Sequence, residues 1–453
     1  MAEYMKKKQS TRNLLIKAKK PEKKSIKYHK FYRGKIQVLP KCSISSIDDF
    51  SIWYTPGVAA ACRNIVKNPN NSFELTNRWN SIAIITDGSR VLGLGDVGPE
   101  AALPVMEGKA LIFKFLGGVD AYPICLQTKK PEEIIQTCKL LEPTFGGINF
   151  EDIAKPNCFQ ILEDAREQMG VPVWHDDQQG TATVILAGLI NAFKIVGKNP
   201  KESLITLVGA GAANVRTAYI LIRWGINPGN IFIVDSKGII HSNREDISKE
   251  NNLWKYDLAQ KTNSENRTGE IAEAFKGVDV VVAASQPGPN IILKKWITTM
   301  ADKAVVFACA NPIPEIWPWE AEKAGAKIVA TGRSDVPNQV NNSLGFPAIF
   351  RGVLDVRAKT VTDDMCIAAA TELALFAEER GINEKNILPT MDEWEVFPRE
   401  AVACAIKSIA QGVARIKPSR QELLEKATTI IQNARNSTKV LMKNKLIKPL
   451  SNK

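Results

Sequence analysis

From residue 81 onward the chain alternates short apolar runs with amphipathic stretches. "SIAIITDG" (81–88) is an apolar run closed by Asp-Gly, which predicts a strand entering a turn. "ALPVMEGKALIFKFLG" (102–117) has helical spacing and stops at Gly-Gly, and "DAYPICLQT" (120–128) predicts the next strand. "PEEIIQTCKLLEPTFGG" opens with proline, which suits the first turn of a helix. "CFQILEDAREQMG" (158–170) is an amphipathic helix ended by glycine, and "VPVWH" follows as a strand. Upstream, "GKIQVLP" (34–40) reads as one more short strand.

The alternation becomes cleaner after a long apolar helix at 181–196. The runs "SLITLVG", "NIFIVDSKG", "VDVVVAAS", "KAVVFACANP" and "AKIVATG" are rich in Val, Ile and Ala and apolar on both faces. Parallel strands covered by helices on both sides have this composition. Residues 363–415 return to helical spacing. The fold class predicted is therefore α/β: a doubly wound, Rossmann-like unit, a separate α/β unit before it, and C-terminal helices that pack back on the earlier unit.

Charge changes the picture at the ends only. The chain of 453 residues carries a formal net charge of +12, but residues 1–35 hold 13 Lys and Arg against 2 acids, and residues 438–453 hold 5 Lys and no acid. The body between is mildly acidic, so nucleic-acid binding by the body is not implied. The tails are either solvated or suited to contact with an acidic partner surface or nucleic acid. No apolar run has the appearance of a membrane span and no secretory pattern opens the chain, so no membrane association is expected. A cytoplasmic setting is expected, with an organellar one kept open because the first segment is basic and poor in acids. The eight cysteines are scattered without a CxxC pair, in keeping with reduced thiols. With three histidines in all, acid–base chemistry must rest on Lys, Tyr, Asp or Glu.

"LVGAGAANVRTA" places Gly209 and Gly211 between a strand and a helix, followed by Ala212, Ala213 and Asn214, with Asn214 where the dinucleotide fingerprint has a third small residue. Gly209 suits the tight turn, Gly211 a close backbone approach to pyrophosphate, and the helix N-terminus an anion. Asp235, at the end of "NIFIVD", could accept from a ribose 2′-hydroxyl and so favour NAD. Lys237 could instead meet a 2′-phosphate, which keeps NADP open. Two acid pairs precede this loop, Glu151–Asp152 and Asp176–Asp177. Each pair alone is a plausible helix-cap arrangement. If the loops that carry them converge, their mutual repulsion calls for a hard cation, Mg²⁺ or Mn²⁺.

In order along the chain, "YTPGVA" (54–59), "TDGSRVLGLGDVG" (86–98), "MEGKALIFK" (106–114), "NFEDIA" (149–154), "HDDQQGTA" (175–182), "GAGAAN" (209–214), "ANPIPEI" (310–316) and "TGRSDVPNQVNN" (331–342) resemble the motifs of the malic enzyme family, short prokaryotic type. The resemblance covers roughly residues 30–415. It implies oxidative decarboxylation of L-malate to pyruvate and CO₂, with reduction of NAD or NADP and a divalent metal. It further implies Glu151, Asp152 and Asp177 as metal ligands, Lys109 as general base supported by Asp176, and Tyr54 as general acid. Arg90 would clamp a substrate carboxylate, while Asn311 and Asn341 would orient substrate and nicotinamide. The lysine is expected to have its pKa lowered beside the cation.

The implied organisation is a basic extension (1–35), a substrate and metal domain (36–175), a dinucleotide domain (176–354), returning helices (355–437) and a basic tail (438–453), assembled as a homodimer or tetramer. Two other readings fit the same residues: a malolactic-type or oxaloacetate decarboxylase, and a nucleotide- and metal-binding protein tethered by its basic tails.

Overall fold

The computed structural model describes Pro21 and residues 24–450 apart from Leu92. Two parallel sheets form its framework. The first is built from β1 (Ser81–Thr86), β2 (Asp120–Cys125), β3 (Gly147–Phe150) and β4 (Val173–His175), in spatial order β2-β1-β3-β4. The second runs β10-β9-β8-β5-β6-β7, from β5 (Ile205–Val208), β6 (Ile231–Asp235), β7 (Gly238–Ile239), β8 (Val280–Ala283), β9 (Val305–Ala308) and β10 (Ile328–Thr331). Only the two-residue β7 pairs antiparallel; the other pairings in both sheets are parallel. β1, β5, β8, β9 and β10 are buried throughout, which explains why their sequences show no alternation.

The helices that position the site are α1 (Val58–Lys67), α2 (Pro99–Gly117), α3 (Pro131–Leu141), α4 (Asn157–Gln168), α5 (Thr181–Val196), α6 (Ala212–Trp224) and α7 (Lys249–Lys261), then α8 (Phe346–Asp355), α9 (Asp363–Glu379), α10 (Val396–Ala410) and α11 (Arg420–Lys443). α5 is apolar almost all round because it is enclosed by α6, α9 and neighbouring turns. With the turn before it, Asp176–Val196 is in fact long and apolar enough to match a membrane span, contrary to the expectation from sequence, but 83% of that stretch is buried inside the protein. Of the C-terminal helices, α10 and α11 pack on α2, as does α8, which the sequence reading had placed in the dinucleotide unit, whereas α9 packs on α5 within that unit.

Two expectations are corrected. Residues 35–40 form no strand; they run as exposed coil with no partner edge beside them. α11 continues to Lys443, past the boundary placed at 437, because Leu423, Ala427, Ile431 and Ala434 keep helical spacing into the core and set its register. The rest of the basic tails lies partly outside the described residues, at 1–20, 22–23 and 451–453. Where they are described, the two ends meet: Tyr32 Oη donates to the Lys448 carbonyl at 2.8 Å.

Candidate active site

β3 and β4 are adjacent and parallel, and Phe150 lies opposite His175 in their register. The residues that follow each strand therefore leave the sheet side by side, which brings Glu151 and Asp152 against Asp176 and Asp177. Asp152 takes a left-handed backbone (φ 54°), and its N–H donates to Asp177 Oδ2 at 2.9 Å. Its carbonyl accepts from the Arg90 N–H at 2.9 Å, tying the loop after β1 to the same place. One carboxylate oxygen from each of Glu151, Asp152 and Asp177 lies within 4.8 Å of the others. Burial raises the Asp177 carboxyl to about 6, with Lys109 opposing and Asp176 adding to the rise. Burial likewise holds Glu151 well above the usual range, against the pull of Lys109. Three clustered carboxylates, with Glu151 and Asp177 both held above their usual range, are what a hard divalent cation would neutralise, so the residues present fit Mg²⁺ or Mn²⁺.

Lys109 sits on the buried face of α2 with Met106, Ala110 and Phe113. Its Nζ is 2.5 Å from Asp176 Oδ2, 2.9 Å from Glu151 Oε1 and 4.2 Å from the centroid of the Phe346 ring. Asp176 also accepts from Asn342 Nδ2 at 2.6 Å and from Trp174 Nε1 at 3.2 Å, so it is fixed from three directions. Burial pulls the Lys109 pKa down, but Asp176 and Glu151 outweigh it and hold the ammonium above the usual lysine range. The lowering expected from sequence is therefore not found in the chain by itself, where the two carboxylates hold the ammonium.

A cleft of about 800 Å³ separates the two sheets. Arg90 and Asp177 line it on one side, Gly211, Ala212 and Ala213 on the other, and Asn311 and Asn341 at its edge. It opens at the C-terminal ends of β5 and β8, where the strand order reverses direction. Gly209 has φ +101°, and a Cβ there would lie 2.8 Å from the Ala284 carbonyl oxygen, so only glycine fits. A Cβ on Gly211 would meet nothing within 4 Å, which leaves room for a ligand. Gly211 caps α6 without any side-chain hydrogen bond, leaving the first amides of the helix available to an anion.

Residues 33–166 match the malic enzyme N-terminal domain and residues 178–411 the malic enzyme NAD binding domain. The chain belongs to the malic enzyme family. It is 43% identical over 402 residues to the bifunctional malic/malolactic enzyme of Bacillus subtilis, covering 89% of this chain and 96% of that one. It is 46% identical over 382 residues to the NAD-dependent malic enzyme of Geobacillus stearothermophilus, covering 84% and 78%. The crystal structure of the Entamoeba histolytica malic enzyme superimposes with a TM-score of 0.93 at 46% identity, covering 96% of this chain and 91% of that one.

Within this malic enzyme framework, two residues singled out in the sequence lie elsewhere than expected. Tyr54 is 71% exposed and does not line the cleft. It follows the short helix Phe50–Trp53, in an N-terminal segment with little core beneath it. Asn214 does not reach a cofactor either: it is fully buried, and its Nδ2 donates to the Val208 and Val282 carbonyls at 2.9 and 3.3 Å. It replaces the small third residue of the fingerprint by stitching α6 to the ends of β5 and β8. Asp235 does line the cleft, but Arg244 and Lys255 occupy its carboxylate. Sequence reading missed Trp174, Asn342 and Phe346, the residues that frame the Lys109–Asp176 pair. Asn342 stands beside Asn341 in "VNN", which was the one signal available for it.

Proposed function

We propose that this protein oxidises and decarboxylates L-malate to pyruvate and CO₂ with reduction of NAD⁺ or NADP⁺. The observation that carries this reading is the buried Lys109–Asp176 pair, set against three clustered carboxylates at the mouth of a dinucleotide cleft. Glu151, Asp152 and Asp177 would hold Mg²⁺ or Mn²⁺, which supplies Lewis-acid stabilisation of negative charge on the substrate oxygens. Lys109, once neutral, takes the proton of the malate hydroxyl as hydride leaves C2. Asp176 keeps the lysine aimed and stabilises it when charged. Arg90, on the cleft wall, offers two parallel hydrogen bonds to a carboxylate, and Asn311 and Asn341 supply neutral amides at the edge.

Protonation of enolpyruvate at C3 requires an acid, and Tyr54 is the residue the family motif offers. Its exposure agrees with a homo-oligomer in which a second copy covers the N-terminal segment, where Ile47, Phe50, Ile52 and Trp53 are also exposed. Tyr54 then faces the cleft of the neighbouring copy. All eight cysteines are unpaired, which supports a reducing, cytoplasmic setting. The basic terminal segments, joined through Tyr32 and Lys448, would suit an acidic partner.

Steady-state kinetics with malate, Mn²⁺ or Mg²⁺, and each cofactor in turn test the reading. Metal-dependent appearance of NADH or NADPH, matched by pyruvate, is expected. Lactate without net cofactor reduction would support the malolactic alternative instead, and no turnover of malate would sink both.

A further inference from the structure

Lys155 belongs to the loop that carries Glu151 and Asp152, yet it points across the cleft. Its Nζ donates to the carbonyl of Ala210, within the glycine loop of the other sheet, at 3.2 Å. Among the described residues it makes no ion pair. The charged groups that act on it are Lys255, Asp235 and Arg90, with the Cys158 thiol behind; burial and the two cations hold its amine below the usual lysine range. Asp235, the nearest acid, is already engaged. Its Oδ1 accepts from Arg244 Nη1 at 2.7 Å and from the Lys237 N–H at 2.9 Å, and its Oδ2 from Lys255 Nζ at 2.7 Å and Arg244 Nη2 at 3.2 Å. Asp246 is shared by Arg244 and Lys237. Arg90, Lys155 and Lys255 line the cleft beside Asp235, and the carboxylates of Asp235 and Asp246 are already shared among Arg244, Lys237 and Lys255, which leaves Lys155 without an acidic partner among the described residues.

We propose that Lys155 is a ligand for a phosphate of the bound dinucleotide, delivered across the cleft by the metal-binding loop. A phosphate there supplies the anion Lys155 lacks; if it is the pyrophosphate, its partners on the opposite wall are the uncapped amides that follow Gly211. The phosphate is either the pyrophosphate, common to NAD⁺ and NADP⁺, or the 2′-phosphate of NADP⁺. The proximity of Lys255 and of the saturated Asp235 makes the second source compatible with this site, even though an acid ends β6. The proposal rests on dinucleotide binding as read above.

Calorimetric titration of NAD⁺ and NADP⁺ into wild type and Lys155→Met, without malate, tests it separately from turnover. Loss of one charge-assisted contact should weaken binding roughly tenfold or more. An equal loss for both cofactors assigns the pyrophosphate, and a loss confined to NADP⁺ assigns the 2′-phosphate; Lys155→Arg should retain much of the affinity in either case. Unchanged affinity for both cofactors overturns the proposal. So does an equal weakening of Mn²⁺ binding, because a residue that merely holds the loop would disturb Glu151 and Asp152 as well. A wild-type protein that binds dinucleotide through Lys155 yet turns over no malate would overturn the function proposed above and leave this assignment standing.

Discussion

Lys109 shows how far one side chain can be read in advance. Its place in "MEGKALIFK" marked it as a lysine between apolar neighbours, but the pairing with Asp176 and Glu151 comes from three elements far apart in sequence. Lys109→Ala removes the proposed base and leaves the lining of the dinucleotide cleft unchanged. Its kcat should fall by about 10²–10⁴-fold, while the calorimetric affinity for NAD⁺ stays close to wild type; a variant with normal kcat would remove Lys109 from the chemistry. Glu400 is a contrasting case. It is fully buried, and neither carboxylate oxygen has a hydrogen-bond partner among the described residues. Burial, with Glu372 adding, raises its pKa well above the usual value, so the fold favours its protonated form. A carboxyl raised on folding stabilises most below its unfolded pKa of about 4.3, and that contribution is lost as pH rises. Glu400→Gln should therefore raise Tm more at pH 8 than at pH 5. Equal shifts at both pH values would mean that Glu400 is ionised in the fold.

The turn between β5 and α6 does its work through two glycines with different reasons for being there. Gly209→Ala adds a Cβ against the Ala284 backbone at positive φ, and should cost about 1–3 kcal/mol of stability as well as cofactor affinity. Gly211→Ala adds a methyl to open cleft, so Tm should hold while KM for the cofactor rises. Thermal melts beside cofactor titrations separate the two, and equal losses of Tm would contradict the distinction. The β3 and β4 ends make a similar point. Each acid pair looked like a helix cap when read alone, and adjacent parallel pairing turned them into one site. Asn214 was legible as a departure from the fingerprint, but not as a bridge between β5 and β8, because the carbonyls it ties come from Val208, 6 residues before it, and Val282, 68 residues after it.

Among the described residues, the N-terminal segment exposes a cluster of large apolar side chains, Ile47, Phe50, Ile52 and Trp53. If a second copy covers it, Trp53→Ala should shift the protein toward monomer in sedimentation at micromolar concentration and lower activity in parallel. An unchanged sedimentation profile would place the oligomer contact elsewhere. Subunits carrying Tyr54→Phe mixed with subunits carrying Lys109→Ala should regain about a quarter of wild-type activity when hybrids form at random; no recovery would mean that Tyr54 serves its own chain or none.

Local pattern was enough for the α/β class, for β1, β2, β4 to β6 and β8 to β10, for the glycine loop and for the identity of the acids, since burial on both faces is written in consecutive residues; it did not show β3, β7, α7 or α8. It was not enough for "GKIQVLP", which has a strand's composition but no neighbouring edge to pair with. The different partners of Asp176 and Asp177 came from the family resemblance, not from local pattern, and neither showed that Lys109 is held above its usual range or that Asp235 is already occupied. Each of those depends on through-space electrostatics between residues brought together by the sheets, and proximity of that kind exists only after the chain has folded.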